Sequence, residues 1–151
     1  MMKITLAWLR EHRACGPGRD WFKEYQGDTE IDEVIKALCA GHVDWVDWLV
    51  TRAKWTGCAK GTRGGWTQEV YYVNGRTHRT DGPAFVETGP YGWHYEVYYV
   101  NGERHRTDGP AFVGTRPDGS NYEEYWVNGE LRHERGHSRI GKKSIERESP
   151  E

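Results

Sequence analysis

The sequence predicts an α+β fold: an N-terminal small helical bundle followed by an antiparallel β-meander of three 27-residue hairpin repeats. Two observations carry that expectation. YYVNGRTHRTDGPAFV begins at Tyr71 and returns as YYVNGERHRTDGPAFV at Tyr98, and a worn third copy, YWVNGELRHERG, begins at Tyr125. Self-similarity at a fixed period marks stacked supersecondary units. The apolar period also changes from 3.6 to 2 after about residue 60, where a helical pattern gives way to strands.

The helices come first. Ile31, Val34, Ile35 and Leu38 fall at i, i+3, i+4 and i+7, one stripe of an amphipathic helix. Asp28 and Thr29 are natural N-caps before it, and Gly41 is a natural stop after it. Trp45, Val46, Trp48, Leu49 and Val50 form a second pattern, with Asp44 and Asp47 on its polar side. Two shorter candidates, Ile4–His12 and Arg19–Tyr25, precede these and are separated by Cys15-Gly16-Pro17-Gly18, which reads as a loop.

Lys60 to Gly65 has the composition of a linker. Beyond it, Trp66, Val70 and Tyr72 share one face of a strand, with Glu69, Tyr71 and Val73 on the other. Asn74-Gly75 ends that run, and Asn101-Gly102 and Asn128-Gly129 recur in phase. Asn-Gly between extended segments is a strong hairpin signal. Gly89-Pro90-Tyr91-Gly92 and Pro117-Asp118-Gly119 supply the return turns. The expected division is a helical domain at 1–58, a linker at 59–65, a repeat domain at 66–137 and a flexible charged tail at 138–151.

Equivalent positions of the repeats place Tyr72, Tyr99 and Trp126 in one row, and Trp66 with Trp93 in another. The face bearing these residues, with Tyr95 and Tyr122, is too apolar to stay wholly wet. The helical domain, a second copy in a homodimer, or a partner would have to cover it.

Composition narrows the function. The formal charge of −2 argues against direct nucleic-acid binding through a basic surface. Cys15, Cys39 and Cys58 are odd in number and lack a CxxC spacing, which suits a reducing, cytoplasmic setting. No apolar run approaches the ~20 residues that span a bilayer, so no membrane partner is expected.

The repeat resembles the MORN type, and more closely its MORN-variant form, in Tyr71-Tyr72-Val73-Asn74-Gly75, Tyr98-Tyr99-Val100-Asn101-Gly102 and Tyr125-Trp126-Val127-Asn128-Gly129. The extension His78–Ala84, repeated at His105–Ala111, is similar to a version common in bacteriophage and bacterial proteins of unassigned function. The resemblance covers about half the chain. It implies a binding role, since proteins of this broad type include scaffolds, membrane tethers and antitoxin-like proteins. The third copy departs from the pattern: Arg132-His133 reverses the His-Arg order, and Arg135 stands where Asp81 and Asp108 stand. The segment from Ala14 to Phe22, with Trp8-Leu9 upstream, is similar to a helical opening of small phage proteins.

Several motifs have both a chemical and a structural reading. His133-Glu134-Arg135-Gly136-His137 matches HExxH, in which a helix brings two histidines to one zinc and the glutamate acts as base. Here the segment follows an Asn-Gly turn in phase with the hairpins, so it reads as a worn repeat. Arg79 and Arg106 are either paired anchors for a partner or ties to Asp81 and Asp108 within the turns. Asp32, Glu33, Asp44 and Asp47 belong to an acidic run that is either a solvated helix face or a surface for a basic partner. Cys15 lacks an activating histidine nearby and reads as a small apolar residue rather than a nucleophile.

The functional expectation is a non-enzymatic protein-binding module needing no cofactor or metal: a phage-encoded inhibitor of a host defence complex, acting in an anti-CRISPR-like manner in the host cytoplasm. Its expected contact residues are Trp66, Tyr72, Arg79, Trp93, Tyr95, Tyr99, Arg106 and Trp126, with Asp32, Glu33, Asp44 and Asp47 as a second surface. An antitoxin-like or scaffold protein is the alternative within the same class. A zinc-dependent hydrolase using His133, Glu134 and His137 is the enzymatic alternative.

Overall fold

The computed structural model describes residues 2–25, 29–137 and 145–148. It is an α+β fold with, among the described residues, four α-helices ahead of a large antiparallel sheet. The chain opens with β1 (Lys3–Ile4), α1 (Leu6–Glu11), α2 (Gly16–Glu24), β2 (Thr29–Glu30), α3 (Ile31–Gly41) and α4 (Val43–Ala53).

Each helix start has a local cause. Thr5 caps α1 by accepting the Trp8 backbone N–H on Oγ1 at 3.0 Å. Cys15-Gly16-Pro17-Gly18 is not a loop: α2 begins at Gly16, and Pro17 sits in its first turn. Proline is favoured there because the first-turn N–H groups have no helical partner. Glu30, rather than Thr29, precedes α3, since β2 pairs with β1 through Ile4↔Thr29 and Lys3↔Glu30. Asp28, the other expected cap, lies outside the described residues. The stripe Ile31, Val34, Ile35 and Leu38 is buried, as are Val46, Leu49 and Val50 of α4.

The chain continues with β3 (Gly57–Arg63), β4 (Trp66–Val73), β5 (Arg76–Thr77), β6 (Phe85–Thr88), β7 (His94–Val97), β8 (Tyr99–Val100), β9 (Glu103–Arg104), β10 (Phe112–Thr115), β11 (Asn121–Val127), β12 (Glu130–His137) and β13 (Ile145–Glu148); all of these but β8 and β9, which pair with each other, belong to the large sheet. Its spatial order is β13-β12-β11-β10-β7-β6-β4-β3, every neighbouring pair antiparallel.

Residues 59–65, expected as a linker, instead form most of β3 and its turn. The glycines there serve packing rather than slack. A Cβ on Gly61 would stand 2.8 Å from the Cys39 carbonyl oxygen, so only glycine lets β3 lie so close to α3. Gly64-Gly65 then makes a two-residue turn with both φ angles positive, joining Arg63 to its partner Trp66. Ala59, Val70 and Tyr72 enter the same core as the four helices. The helices and the first strands therefore share one core, and no linker separates them. Within the expected tail, residues 145–148 form β13 and pair with β12, so that part is a strand. Residues 138–144 and 149–151 lie outside the described residues.

The Asn-Gly turns follow one geometry. Asn74, Asn101 and Asn128 have φ of 50, 53 and 51°, and the glycine after each is also positive. After the first turn β5 runs back along β4, the chain leaves as a loop, and it rejoins the same edge at Ala84. His78 donates its backbone N–H to the Tyr71 carbonyl, and the Tyr71 N–H returns to Ala84 at 2.8 Å. Tyr98, His105 and Ala111 repeat this geometry. At the third turn β12 runs on without the loop, and a register shift between Tyr125 and Trp126 takes up the difference.

Candidate functional site

Strand register decides which side chains share a face. Val70↔Phe85, Phe85↔Val97, Glu87↔Tyr95, Gly114↔Tyr95 and Gly114↔Tyr122 put Trp66, Tyr95, Phe112 and Tyr122 on the face that carries the helices. The helices share their core with the β3–β4 end of that face, where Val70 and Tyr72 are buried, whereas Trp66, Tyr95, Phe112 and Tyr122 are each only partly buried.

These rings form a continuous row. Trp66 and Tyr95 stack with centroids 6.0 Å apart, Trp93 lies 6.1 Å from Tyr95, Tyr95 lies 6.0 Å from Phe112, and Phe112 lies 6.3 Å from Tyr122. Gly114 makes room for it. A Cβ there would meet the Phe112 and Tyr95 rings at 3.1 and 3.2 Å. Such offset and edge arrangements add stabilisation beyond area burial.

Polar groups are interleaved with the row. Glu124 accepts hydrogen bonds from Arg104 Nη1 at 2.7 Å and from Trp126 Nε1 at 2.6 Å. The Arg104 guanidinium lies over both the Trp126 and Phe112 rings, 5.1 and 5.5 Å from their centroids. The Tyr122 hydroxyl donates to Glu134. One surface thus presents aromatic faces, a guanidinium and fixed carboxylates, the side-chain types concentrated where protein interfaces hold their energy.

The structure divides the expected contact residues. Trp66, Trp93 and Tyr95 come together in the row. Trp126 belongs to the Arg104–Glu124 cluster beside it. Tyr99 is half-buried and, with Tyr72 and Phe85, lines a cavity of about 240 Å³ beneath α4. Tyr72 is only 5% exposed and offers no surface. Its hydroxyl points to Asp47 Oδ1 at 3.5 Å, and burial, followed by that carboxylate, pushes the phenol well above its ordinary range.

Arg79 and Arg106 lie elsewhere. Each guanidinium sits 4.0 Å over a tyrosine, Tyr71 or Tyr98, and those tyrosines alternate to the opposite face. Each also binds its own loop, Arg79 Nε to Asp81 at 2.7 Å and Arg106 Nε to Asp108 at 2.8 Å. Those bonds hold both aspartates below the usual carboxylate range. The two arginines are ties within their turns, on the side away from the aromatic row.

The acidic residues also have partners within the chain. Asp32 accepts from Trp55 Nε1 at 2.8 Å, Glu33 pairs with Lys36, and Asp44 pairs with Arg63. The HExxH segment is strand, not helix. Positions four apart on a strand are separated by about 13 Å, against about 6 Å on a helix, so the segment lacks the zincin spacing. No group of three metal-ligating side chains occurs among the described residues. Cys39 is buried, while Cys15 and Cys58 are exposed and unpaired.

Sequence reasoning missed Phe112, Arg104 and Glu124. Phe112 was reachable, being the counterpart of Phe85 one repeat on. Arg104 was not, because the first repeat carries Thr77 at that place. Comparison with protein-family models, curated proteins and solved structures returned no match. No helix among the described residues is long and apolar enough to cross a membrane.

Proposed function

We propose that this chain is a non-enzymatic protein-binding module whose contact surface is the aromatic row Trp66–Tyr95–Phe112–Tyr122. The observation that carries the reading is that this row is stacked and only partly buried, outside the core that the helices share with β3 and β4. Aromatic side chains bring large rigid area at low entropic cost, and Glu124 and Arg104 add oriented polar groups. The sheet is read as three 27-residue hairpin units of MORN-variant character, a scaffold that displays such a row without an enclosed catalytic pocket. In its concrete form the module is a phage-encoded inhibitor that occupies a host defence complex, as anti-CRISPR proteins do. An antitoxin-like or scaffold role would use the same surface.

The test is a tagged pull-down from bacterial lysate with and without nuclease, run beside a Trp93→Ala/Tyr95→Ala variant whose folding is checked by circular dichroism. A stoichiometric host complex that survives nuclease and is lost in the folded variant supports the reading. Capture that ignores the double substitution overturns the surface assignment. A wild-type homodimer that the same substitutions dissociate would show that the row is covered by a second copy instead.

A further inference from the structure

The helical layer contains a cavity that is separate from the aromatic row. Its volume is about 280 Å³. Phe22 and Leu49 form its floor and are almost completely buried, while Trp45 and Trp48 form half-buried walls. The lining is almost wholly apolar, and no aspartate or glutamate belongs to it. The pocket is open to solvent on one side, and apolar pockets bind apolar ligands: a sealed one of about 150 Å³ takes up benzene, so nearly twice that volume has room for an acyl chain of about ten carbons or a bicyclic ring.

Arg13 and Cys15 complete the rim, and both are exposed. Arg13 has a φ of 60°, an unfavourable conformation for a residue with a side chain. The turn holds it there through the Arg13 N–H to the Arg10 carbonyl at 3.1 Å and the Ala14 N–H to the Leu9 carbonyl at 2.8 Å. Among the described residues the Arg13 guanidinium has no ion pair or hydrogen bond. Nearby Arg19 is already engaged, donating to the Ala14 carbonyl at 2.7 Å. Arg13 therefore adds an exposed cation, without a partner among the described residues, to the lining of an open apolar pocket that holds no acid.

We infer that this cavity binds a small amphipathic monocarboxylate, its apolar body among the tryptophans and its carboxylate on Arg13. A medium-chain fatty acid and an aromatic acid share this chemistry. The site shares no lining residue with the aromatic row of the sheet.

Cys15 reports on occupancy, and Cys58, exposed on the sheet and outside the cavity, is an internal control. The experiment follows alkylation of each cysteine by peptide mass spectrometry, with decanoate or the neutral decanol below micellar concentrations. At ten times its dissociation constant decanoate should slow Cys15 alkylation about tenfold and leave Cys58 unchanged. Decanol should protect more weakly at the same concentration. Arg13→Gln, a surface change, should reduce decanoate protection to the decanol level. No protection by either compound, or equal protection of the wild-type protein by both, would overturn the inference. Indole-3-carboxylate run in parallel distinguishes a chain-shaped from a ring-shaped occupant.

Discussion

The His78 imidazole accepts the backbone N–H of Asn101 on Nδ1 at 3.0 Å, joining one hairpin tip to the turn before it. His105 accepts from Asn128 in the same way at 3.1 Å, and Thr56 Oγ1 accepts from Asn74 at 2.9 Å. The following glycine adds a second bond at each tip: Gly75 N–H to Trp55, Gly102 to Thr77 and Gly129 to Arg104. Every tip thus docks on the segment before it through two backbone donors. Thr56 does for the first tip what histidine does for the next two.

Removing one such acceptor should leave an Asn N–H at the tip without its partner. His78→Ala and His105→Ala are each expected to cost about 1 kcal/mol, a Tm drop of about 2–4 °C for a chain of this length. His78→Asn, which keeps an acceptor oxygen, should cost less. Differential scanning calorimetry decides it, and an alanine variant as stable as the parent would remove the docking role.

Gly75 and Gly102 occupy the same turn position with φ of 73 and 86°, yet their surroundings differ. A Cβ on Gly102 would meet only Arg76 Cβ at 3.9 Å, whereas one on Gly75 would stand 2.7 Å from the Val50 carbonyl oxygen of α4. Gly102→Ala should therefore cost only the strain of the left-handed region, about 1–2 kcal/mol. Gly75→Ala should cost clearly more, because helix backbone cannot yield. Urea denaturation of the two variants measures the difference.

The Arg79–Asp81 and Arg106–Asp108 pairs imply a dependence on acid. Both aspartates are held low by the arginine hydrogen bond first and its charge second. A depressed folded value stabilises above the unfolded carboxylate range, about pH 4, and that contribution is lost as pH falls through the folded value. Asp81→Asn/Asp108→Asn should therefore be less stable than the parent at pH 6, with the gap closing as pH is lowered toward 3. Because both carboxylates are exposed, the effect will be small and sensitive to salt. A gap that is constant across that range would exclude an ionic origin.

Much of this arrangement was legible in the residues, and the failures have specific causes. The 3.6-residue stripe of Ile31, Val34, Ile35 and Leu38 and the recurrent Asn-Gly dipeptides report directly on local geometry, so helix and turns could be read. Gly61, Gly64 and Gly65 looked like slack because composition does not distinguish a flexible glycine from one with a helix pressed against it, as at Gly61, or one that closes a tight turn, as at Gly64 and Gly65. Arg79 and Arg106 were legible as charges but not as to face, because the loop that carries them leaves the strand before the two-residue alternation can be counted. The burial of Tyr72 depends on α4 crossing one end of the sheet, a long-range event with no trace in the repeat.

That asymmetry gives the sharpest test of the architecture. Tyr72 and Tyr99 are the same residue at the same place in successive repeats, but only the first is fully buried under α4. Tyr72 is 5% exposed inside the shared core, and Tyr99 is half-buried at its edge. Tyr72→Ala should cost about 3–5 kcal/mol, the range for emptying a buried aromatic site, whereas Tyr99→Ala should cost well under half of that. Tyr72→Phe should be nearly neutral, since the hydroxyl reaches Asp47 only at 3.5 Å, the outer limit of a hydrogen bond. Chemical denaturation of the three variants is the measurement. Equal losses at Tyr72 and Tyr99 would mean that the helices extend their cover along the sheet, and with it over part of the aromatic row.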